Sequence, residues 1–321
     1  MTASAEVQLE ADAWRFEARA MGSPLRLSVT GLAAASARRA WATVVEDVER
    51  TEATLSRFRA ESDLSRLNLT AGSGAWIAAS PRLYAMLAAS ERARHLTVGR
   101  FDARVVRVLE QLGERAGVTL PEPASPASAH PWLERDPRQR RVRLWAPADS
   151  GGIGKGLALR WAADAVTRAG LAGHGLLLEA GGDIVARGSA PDRGPWRIGV
   201  EDPQQPDGEP LAVLEVTEGS VVTSSIAVRR WRTDDGISVH HLIDPRTGEP
   251  GGEGLAAVTV LGLDPAWSEV WSKALFLSGA RGIGDEARRR GLAAWWVEAD
   301  GSLHLTPAAR AQTTWERATP A

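Results

Sequence analysis

The 321-residue chain contains no cysteine. That excludes thiol nucleophiles, disulfide frameworks, iron–sulfur clusters, Cys-ligated zinc and a lipidated N-terminal cysteine. A large charge of one sign is also missing: 38 basic residues stand against 40 acidic ones, a formal net charge of −2. Without a broad basic field nucleic acid is not an expected partner, and any phosphate recognition must come from local groups. No uninterrupted apolar run approaches the ~18 residues of a spanning helix, so no intrinsic membrane anchor is expected. Residues 1–14 carry Glu6, Glu10 and Asp12 and lack the apolar stretch of a signal peptide. A cytoplasmic location is the resulting expectation. Lysine is the sharpest scarcity: only Lys155 and Lys273 occur, and every other basic residue is arginine. A GC-rich genome explains the general bias but not why lysine survives at two places. A compact ammonium fits where a planar guanidinium does not, so both lysines become candidates for chemistry.

What is present is ordinary for a folded protein, with 44% hydrophobic residues, 32 glycines and 18 prolines. Thirteen tryptophans accompany a single tyrosine, and core packing is the plain reading of that excess. Alternation predicts strands over 14–20 and 25–30, joined through Met21-Gly22-Ser23-Pro24. A long amphipathic helix follows, with Trp41, Val44, Val45, Val48, Glu52 and Leu55 on one stripe. Ser80-Pro81 opens a helix reaching about His95, and a third helix is expected over 105–113. Pro, Ala and Ser dominate 121–131, which reads as part of a surface loop between lobes over about 121–140. Strands are expected at 141–146, 175–180, 183–188, 196–200, 211–217, 220–223, 228–233, 238–243 and 256–263. Two helices, 265–278 and 282–290, precede a hairpin of 293–298 with 302–306. Helices mixed with mostly antiparallel strands make an α+β fold.

Chemistry concentrates in a few short segments. Gly151-Gly152-Ile153-Gly154-Lys155-Gly156 joins a strand to a helix, but its spacing is neither that of a P-loop nor Gly-x-Gly-x-x-Gly. Two readings remain open, an anion site at a helix N-terminus and a tight strand-to-helix turn. Gly181-Gly182 before Asp183 reads as a hairpin turn or a close-approach site. Thr223-Ser224-Ser225 places three hydroxyls at a strand end, able to bind phosphate or to cap the strand. His240-His241-Leu242-Ile243-Asp244-Pro245-Arg246-Thr247-Gly248 carries an acid/base candidate, a carboxylate and a turn within nine residues. Glu269 and Lys273 are four apart on a helix rich in apolar residues, the favourable order for an ion pair, and the apolar surroundings favour burial.

Taken in order, these segments resemble the FAD:protein FMN transferases, the ApbE family, from about residue 14 to 306. Met21-Gly22-Ser23 is similar to the family's opening Met-Gly-Thr. Leu55-Ser56-Arg57-Phe58 with 61–68 resembles its Ser-x-aromatic…Asn stretch, and Phe101-Asp102 its Phe-Asp pair. Asp149 with 151–156 resembles Asp-x-Gly-Gly-Ile-Ala-Lys-Gly, Gly181-Gly182-Asp183 a Gly-Gly-Asp turn, and Thr223-Ser224 a Thr-Ser-Gly. His241 to Gly248 resembles the family's His…Asp-Pro-x-Thr-Gly, its most specific motif.

The resemblance implies a two-lobed, T-fold-related architecture over residues 14–306, with tails at 1–13 and 307–321. It implies FAD as substrate, an acceptor flavoprotein with a Thr or Ser flavinylation site, and AMP release. His241 is the expected proton-transfer group and Lys155 an expected helper at phosphate. The implied cofactor contacts are Met21, Phe58, Phe101, Asp102, Asp149, Lys155, Gly181, Gly182, Asp183, Thr223, Ser224, His241, Ile243 and Asp244, with FAD across the lobe junction. It further implies magnesium, held in the family by the glycine loop, an Asp and a Thr; in this chain the expected ligands are Gly152 and Glu269, a Glu that can still ligate through an adjusted side chain, with Lys273 at the position of the Thr. Protonated lysine has three donors and no acceptor and cannot ligate a metal, so Lys273 is expected to occupy the metal's place. Arg104, Arg160, Glu179 and Ser225 are further departures from the pattern. With the metal site altered, FAD binding without transfer and FAD hydrolysis to FMN and AMP stand as alternatives.

Overall fold

The structure is a computed structural model that describes residues 5–10, 12–114, 117–120, 131–227, 229–233 and 235–318. The core of the expected loop, 121–130, lies outside the described residues. The chain begins with strands β1 (Ala5–Glu10), β2 (Ala13–Ala20) and β3 (Ser23–Thr30) and helix α1 (Ala34–Leu55). Next come α2 (Asp63–Asn68), β4 (Ile77–Ala78), α3 (Pro81–Leu96), α4 (Val106–Gln111), β5 (Leu133–Asp136) and β6 (Arg141–Leu144). Helix α5 (Gly154–Arg168) leads to β7 (Gly175–Ala180), β8 (Asp183–Gly188), β9 (Trp196–Val200), β10 (Ala212–Val216) and β11 (Glu218–Ser225). Short strands β12 (Arg230–Arg232), β13 (Ser238–His240), β14 (Ile243–Asp244) and β15 (Glu249–Pro250) follow. The chain continues through β16 (Leu255–Gly262), α6 (Pro265–Phe276), α7 (Gly279–Arg289), β17 (Ala293–Glu298), β18 (Leu303–Leu305), α8 (Pro307–Arg310) and β19 (Thr313–Glu316).

Two compact units emerge. The first comprises residues 1–48, 155–229 and 251–321; the second comprises 49–154 and 230–250. Unit 1 is built on a nine-stranded antiparallel sheet in the order β1-β2-β3-β7-β8-β11-β16-β17-β18. Because successive side chains point to opposite faces, Leu176, Leu178 and Ala180 of β7 pack with Trp41, Val44, Leu159 and Val166 of the α1 and α5 helices. Leu177 between them packs with Trp196, Ile198 and Leu214 of the small β19-β10-β9 sheet on the other face. Phe16 stacks on Trp41 at 5.7 Å, so tryptophan does serve the core here.

Unit 2 gathers α2, α3, α4, the β4-β6-β5 sheet and the hairpins β12–β13 and β14–β15. Asn68, fully buried, donates to Ala148 O and accepts from Ala148 N–H at 2.8 and 2.9 Å, which fixes the segment entering the glycine loop.

Several differences from the expected elements have physical causes. Residues 5–10, expected as a tail, pair with β2 as an edge strand although every one of them is exposed; Ala5, Val7 and Leu9 alternate with Glu6, Gln8 and Glu10, a strand signal that the reading of a tail passed over. Residues 307–316 form a short helix and a strand paired with β10, about a hundred residues away in sequence. The strand expected at 238–243 is interrupted at His241-Leu242, where Leu242 N–H turns back to the His240 ring. Ser80 occupies the N-cap of α3 without a capping bond.

Candidate active site

In unit 1 two hairpin turns lie side by side. Met21-Gly22 and Gly181-Gly182 both have positive φ at their two central residues (51° and 72°; 58° and 85°), the type I′ geometry that matches strand twist. Their strands β3 and β7 pair with Leu25 opposite Ala180, and Gly181 N–H donates to Pro24 O at 3.0 Å. A Cβ on Gly181 would come within 2.8 Å of Ser23 Cβ, so both conformation and space demand glycine there. The Lys155 ammonium stands 4.0 Å from that same point.

Helix α5 brings Lys155 in at its first turn, and Gly156 sits where α5 meets α6. A Cβ on Gly156 would lie 2.5 Å from Ala266 Cα and 2.6 Å from Ala266 N, and would overlap Pro265 O as well. First-turn amides lack partners inside their own helix, and Gly156 N–H donates to Glu269 Oε2 at 2.8 Å. Lys273 Nζ donates to Glu269 Oε1 at 3.2 Å. Lys155 Nζ pairs with Asp183 Oδ2 at 2.5 Å, and Asp183 Oδ1 accepts from Thr223 N–H at 3.4 Å. Glu269 is fully buried and the Lys273 side chain is 16% exposed, so the helix pair is indeed an interior one. Burial pushes the Glu269 carboxyl above its ordinary range, aided by Asp183, while Lys273, Lys155 and the Gly156 N–H pull it back. Burial works against the Lys155 ammonium, but Asp183 and Glu269 outweigh it and hold its pKa above the lysine norm.

Helix α6 is anchored at its first turn and along the face that meets β11. Asp264 caps it by accepting from Ala266 and Trp267 N–H, Pro265 opens its first turn, and Arg160 donates to Asp264 at 2.9 Å. Ser268 and Ser272 pair with Ser220 and Ser224 of β11 at 2.8 and 2.7 Å. The Ser224 hydroxyl is thus engaged by the helix and the Thr223 hydroxyl by Thr259 at 2.9 Å.

Unit 2 carries a second set. Asp149 accepts from Arg57 Nε at 3.1 Å, and the same guanidinium bonds Glu114 and covers the Phe58 ring at 4.2 Å. Phe58 itself is 56% exposed. The Asp149 carboxylate leaves no room for a side chain at Gly151, next to Gly152. Asp102 accepts from Arg104 N–H and its guanidinium (2.6–3.1 Å) and from Arg94 Nε at 3.0 Å. Burial opposes the Asp102 anion, but the Arg104 bonds prevail and its pKa is lowered. Asp244 repeats the arrangement two residues before Arg246, whose side-chain bonds lower its pKa, and its carbonyl closes the turn to Gly248. Asp102, Arg104, Arg107, Trp145 and Pro245 help line a cavity of about 330 Å³. His240 has its pKa lowered by burial, and its Nδ1 accepts from Leu242 N–H, which puts its proton on Nε2. His241 is partly exposed in the gap between β13 and β14, whereas Phe101 and Ile243 are core residues.

The structure therefore gathers Met21, Lys155, Gly181, Gly182, Asp183, Thr223, Ser224, Glu269 and Lys273 in unit 1. Phe58, Phe101, Asp102, Asp149, Gly152, His241, Ile243 and Asp244 belong to unit 2. Sequence reasoning missed the partners Arg57, Arg104 and Arg246 and the Gly156 amide. The repeated Asp-x-Arg spacing at 102–104 and 244–246 was the available signal for two of them.

A divalent cation does not fit the Glu269–Lys273 position. Both Glu269 oxygens already accept hydrogen bonds, one of them from an ammonium that offers no lone pair. Among the described residues no group of three or more His, Asp or Glu side chains is placed to hold a metal.

The sequence pattern of the ApbE family matches residues 21–296. The FAD:protein FMN transferase of Salmonella typhimurium is 25% identical over 304 residues, covering 89% of this chain and 84% of that protein. The Treponema pallidum protein of the same name is 28% identical over 257 residues, covering 72% of this chain and 69% of its own length. Among solved structures, the ApbE protein of Thermotoga maritima superposes with a TM-score of 0.81 at 24% identity, covering 95% of this chain and all of that one. The apo flavinyl transferase ApbE of Pseudomonas stutzeri gives 0.76 at 23%, covering 96% and 100%, and the two likenesses bear out the α+β fold. A family pattern running over most of the sequence leaves one assignment: this chain belongs to the ApbE family.

Proposed function

We propose that this chain transfers the FMN half of FAD to a Thr or Ser hydroxyl of a partner protein and releases AMP. The observation that carries it is the ammonium of Lys155 set beside the Gly181-Gly182 turn, whose second glycine has nothing within 4 Å of where a side chain would begin and so leaves the backbone open to close approach. The names of the curated relatives point to the same chemistry. In the reaction the acceptor oxygen attacks the FMN phosphorus, forming a phosphoester while the bridging P–O bond breaks. The bond's electron pair leaves with AMP, and the hydroxyl proton passes to a base and then to solvent. Such a displacement demands in-line positioning, compensation of negative charge and a proton acceptor. Lys155, kept charged by Asp183, meets the second demand, and the loop amides from Gly152 onward assist. His241, at the break between β13 and β14, takes the proton. Phe58 offers an exposed ring face to flavin or adenine, and Met21, Asp102, Asp149, Thr223 and Asp244 are assigned to positioning the rest of FAD. No step is routed through magnesium, because the residues at its expected place do not suit it.

The test is incubation of the full chain with FAD and a protein acceptor of one of these transferases, followed by in-gel flavin fluorescence and AMP quantification. A fluorescent acceptor band rising together with AMP supports transfer. Free FMN with AMP and a dark acceptor would instead identify a pyrophosphatase, and bound FAD with no AMP a binding protein.

A further inference from the structure

Building on the transferase reading, we propose that the Lys273 ammonium, seated on the buried Glu269 carboxylate, takes the place of a divalent cation, so that transfer by this chain is metal-independent.

Glu269 is fully buried, and its oxygens are occupied by Gly156 N–H and Lys273 Nζ. A carboxylate at such depth with a single backbone donor would be an uncompensated charge, and Lys273 supplies the compensation. Its side chain is the more exposed of the pair, 16% against 0%, so the lysine and not the carboxylate is the partner open to an approaching anion. An ammonium has three donors; Glu269 takes one, and a phosphate oxygen can accept another.

The local charge count agrees. Lys155 pairs with Asp183 and Lys273 with Glu269, so each carboxylate of the cluster already has its own cation. Magnesium demands an octahedron of oxygen ligands, and the Lys273 ammonium, which has no lone pair to offer, interrupts it. Composition supplies an independent line. The chain's only two lysines are the two cations of this cluster, while every other basic position is arginine. The site uses the compact point charge that most resembles a metal ion and not the planar fork.

Manganese is the probe, because its free and bound forms differ in electron paramagnetic resonance and its detection needs no turnover. Titration of the wild-type chain is expected to show no saturable site, and EDTA is expected to leave AMP release within about twofold of its rate in magnesium. Lys273→Thr removes the ammonium and leaves oxygen ligands, so it is expected to acquire one manganese site and to become sensitive to EDTA. Lys273→Arg keeps the charge and serves as the folding control; it is expected to bind no manganese and to lose at least about tenfold in rate. Stoichiometric manganese binding to wild type that Glu269→Gln abolishes would overturn the proposal, as would a wild-type rate that collapses in EDTA. Absence of AMP release with and without magnesium would count against the transferase reading instead, and the manganese titration would still judge the site.

Discussion

Substituting Gly156 by alanine sets two physical effects against each other, and the structure decides the sign. In an unencumbered helix the change stabilises by about 1 kcal/mol, since glycine is the poorer helix former. Here the new methyl would lie 2.5 Å from Ala266 Cα and 2.6 Å from Ala266 N, and those are backbone atoms that cannot rotate away. Helices α5 and α6 must separate, at an overpacking cost of about 1–3 kcal/mol. The same displacement stretches the Gly156 N–H bond to the buried Glu269 carboxylate, now 2.8 Å, and a hydrogen bond to a charged group contributes about 1.5–3 kcal/mol. The balance is a net loss of about 1.5–5 kcal/mol. With a urea slope of about 2 kcal/mol per M, the unfolding midpoint should fall by about 0.75–2.5 M. Equilibrium denaturation followed by tryptophan fluorescence measures it. A midpoint equal to or above wild type would mean that helix propensity wins and that α5 and α6 do not meet as described.

Other consequences are as specific. Asp183→Asn removes the main attraction that raises the Lys155 pKa, so the alkaline limb of the rate profile should move to lower pH and AMP release should fall by about a hundredfold; an unchanged limb would free Lys155 from that role. Asp102 and Asp244 are held below the usual carboxylate range, so the unfolded chain binds more protons across that interval. The stability they contribute is present above about pH 4 and lost as pH falls through their lowered values, and urea midpoints at successive pH values should drop there, less so in Asp102→Asn. Phe58→Ala should change stability by no more than about 1 kcal/mol, because the ring is 56% exposed and its main described contact is Arg57. Calorimetry should nevertheless find FAD bound at least about tenfold more weakly; unchanged affinity would remove Phe58 from the site.

How much of this was legible beforehand depended on whether a feature is local. Strands 175–180 and 183–188 were readable to the residue because a Gly-Gly pair at positive φ both ends one strand and begins the next. The Glu269–Lys273 pair was readable because helical spacing brings residues four apart together. The edge strand at 5–10 carried a short alternation, Ala5, Val7 and Leu9, but buries none of it, and the strand at 313–316 depends on partners about a hundred residues away. The same limit governs the site. Arg57 reaches Asp149, and Gly156 reaches Glu269, across stretches no local pattern spans. The break at His241-Leu242 was hidden because apolar continuity through Val239, Leu242 and Ile243 mimics one strand.

The account stands or falls on the fate of the two halves of FAD. Intact mass of the acceptor and AMP concentration, followed in one reaction, measure it most directly. The prediction is an acceptor heavier by FMN less one water, with one AMP released per modified molecule. Unmodified acceptor after all FAD has been split, or FAD left whole in the presence of acceptor, would contradict it.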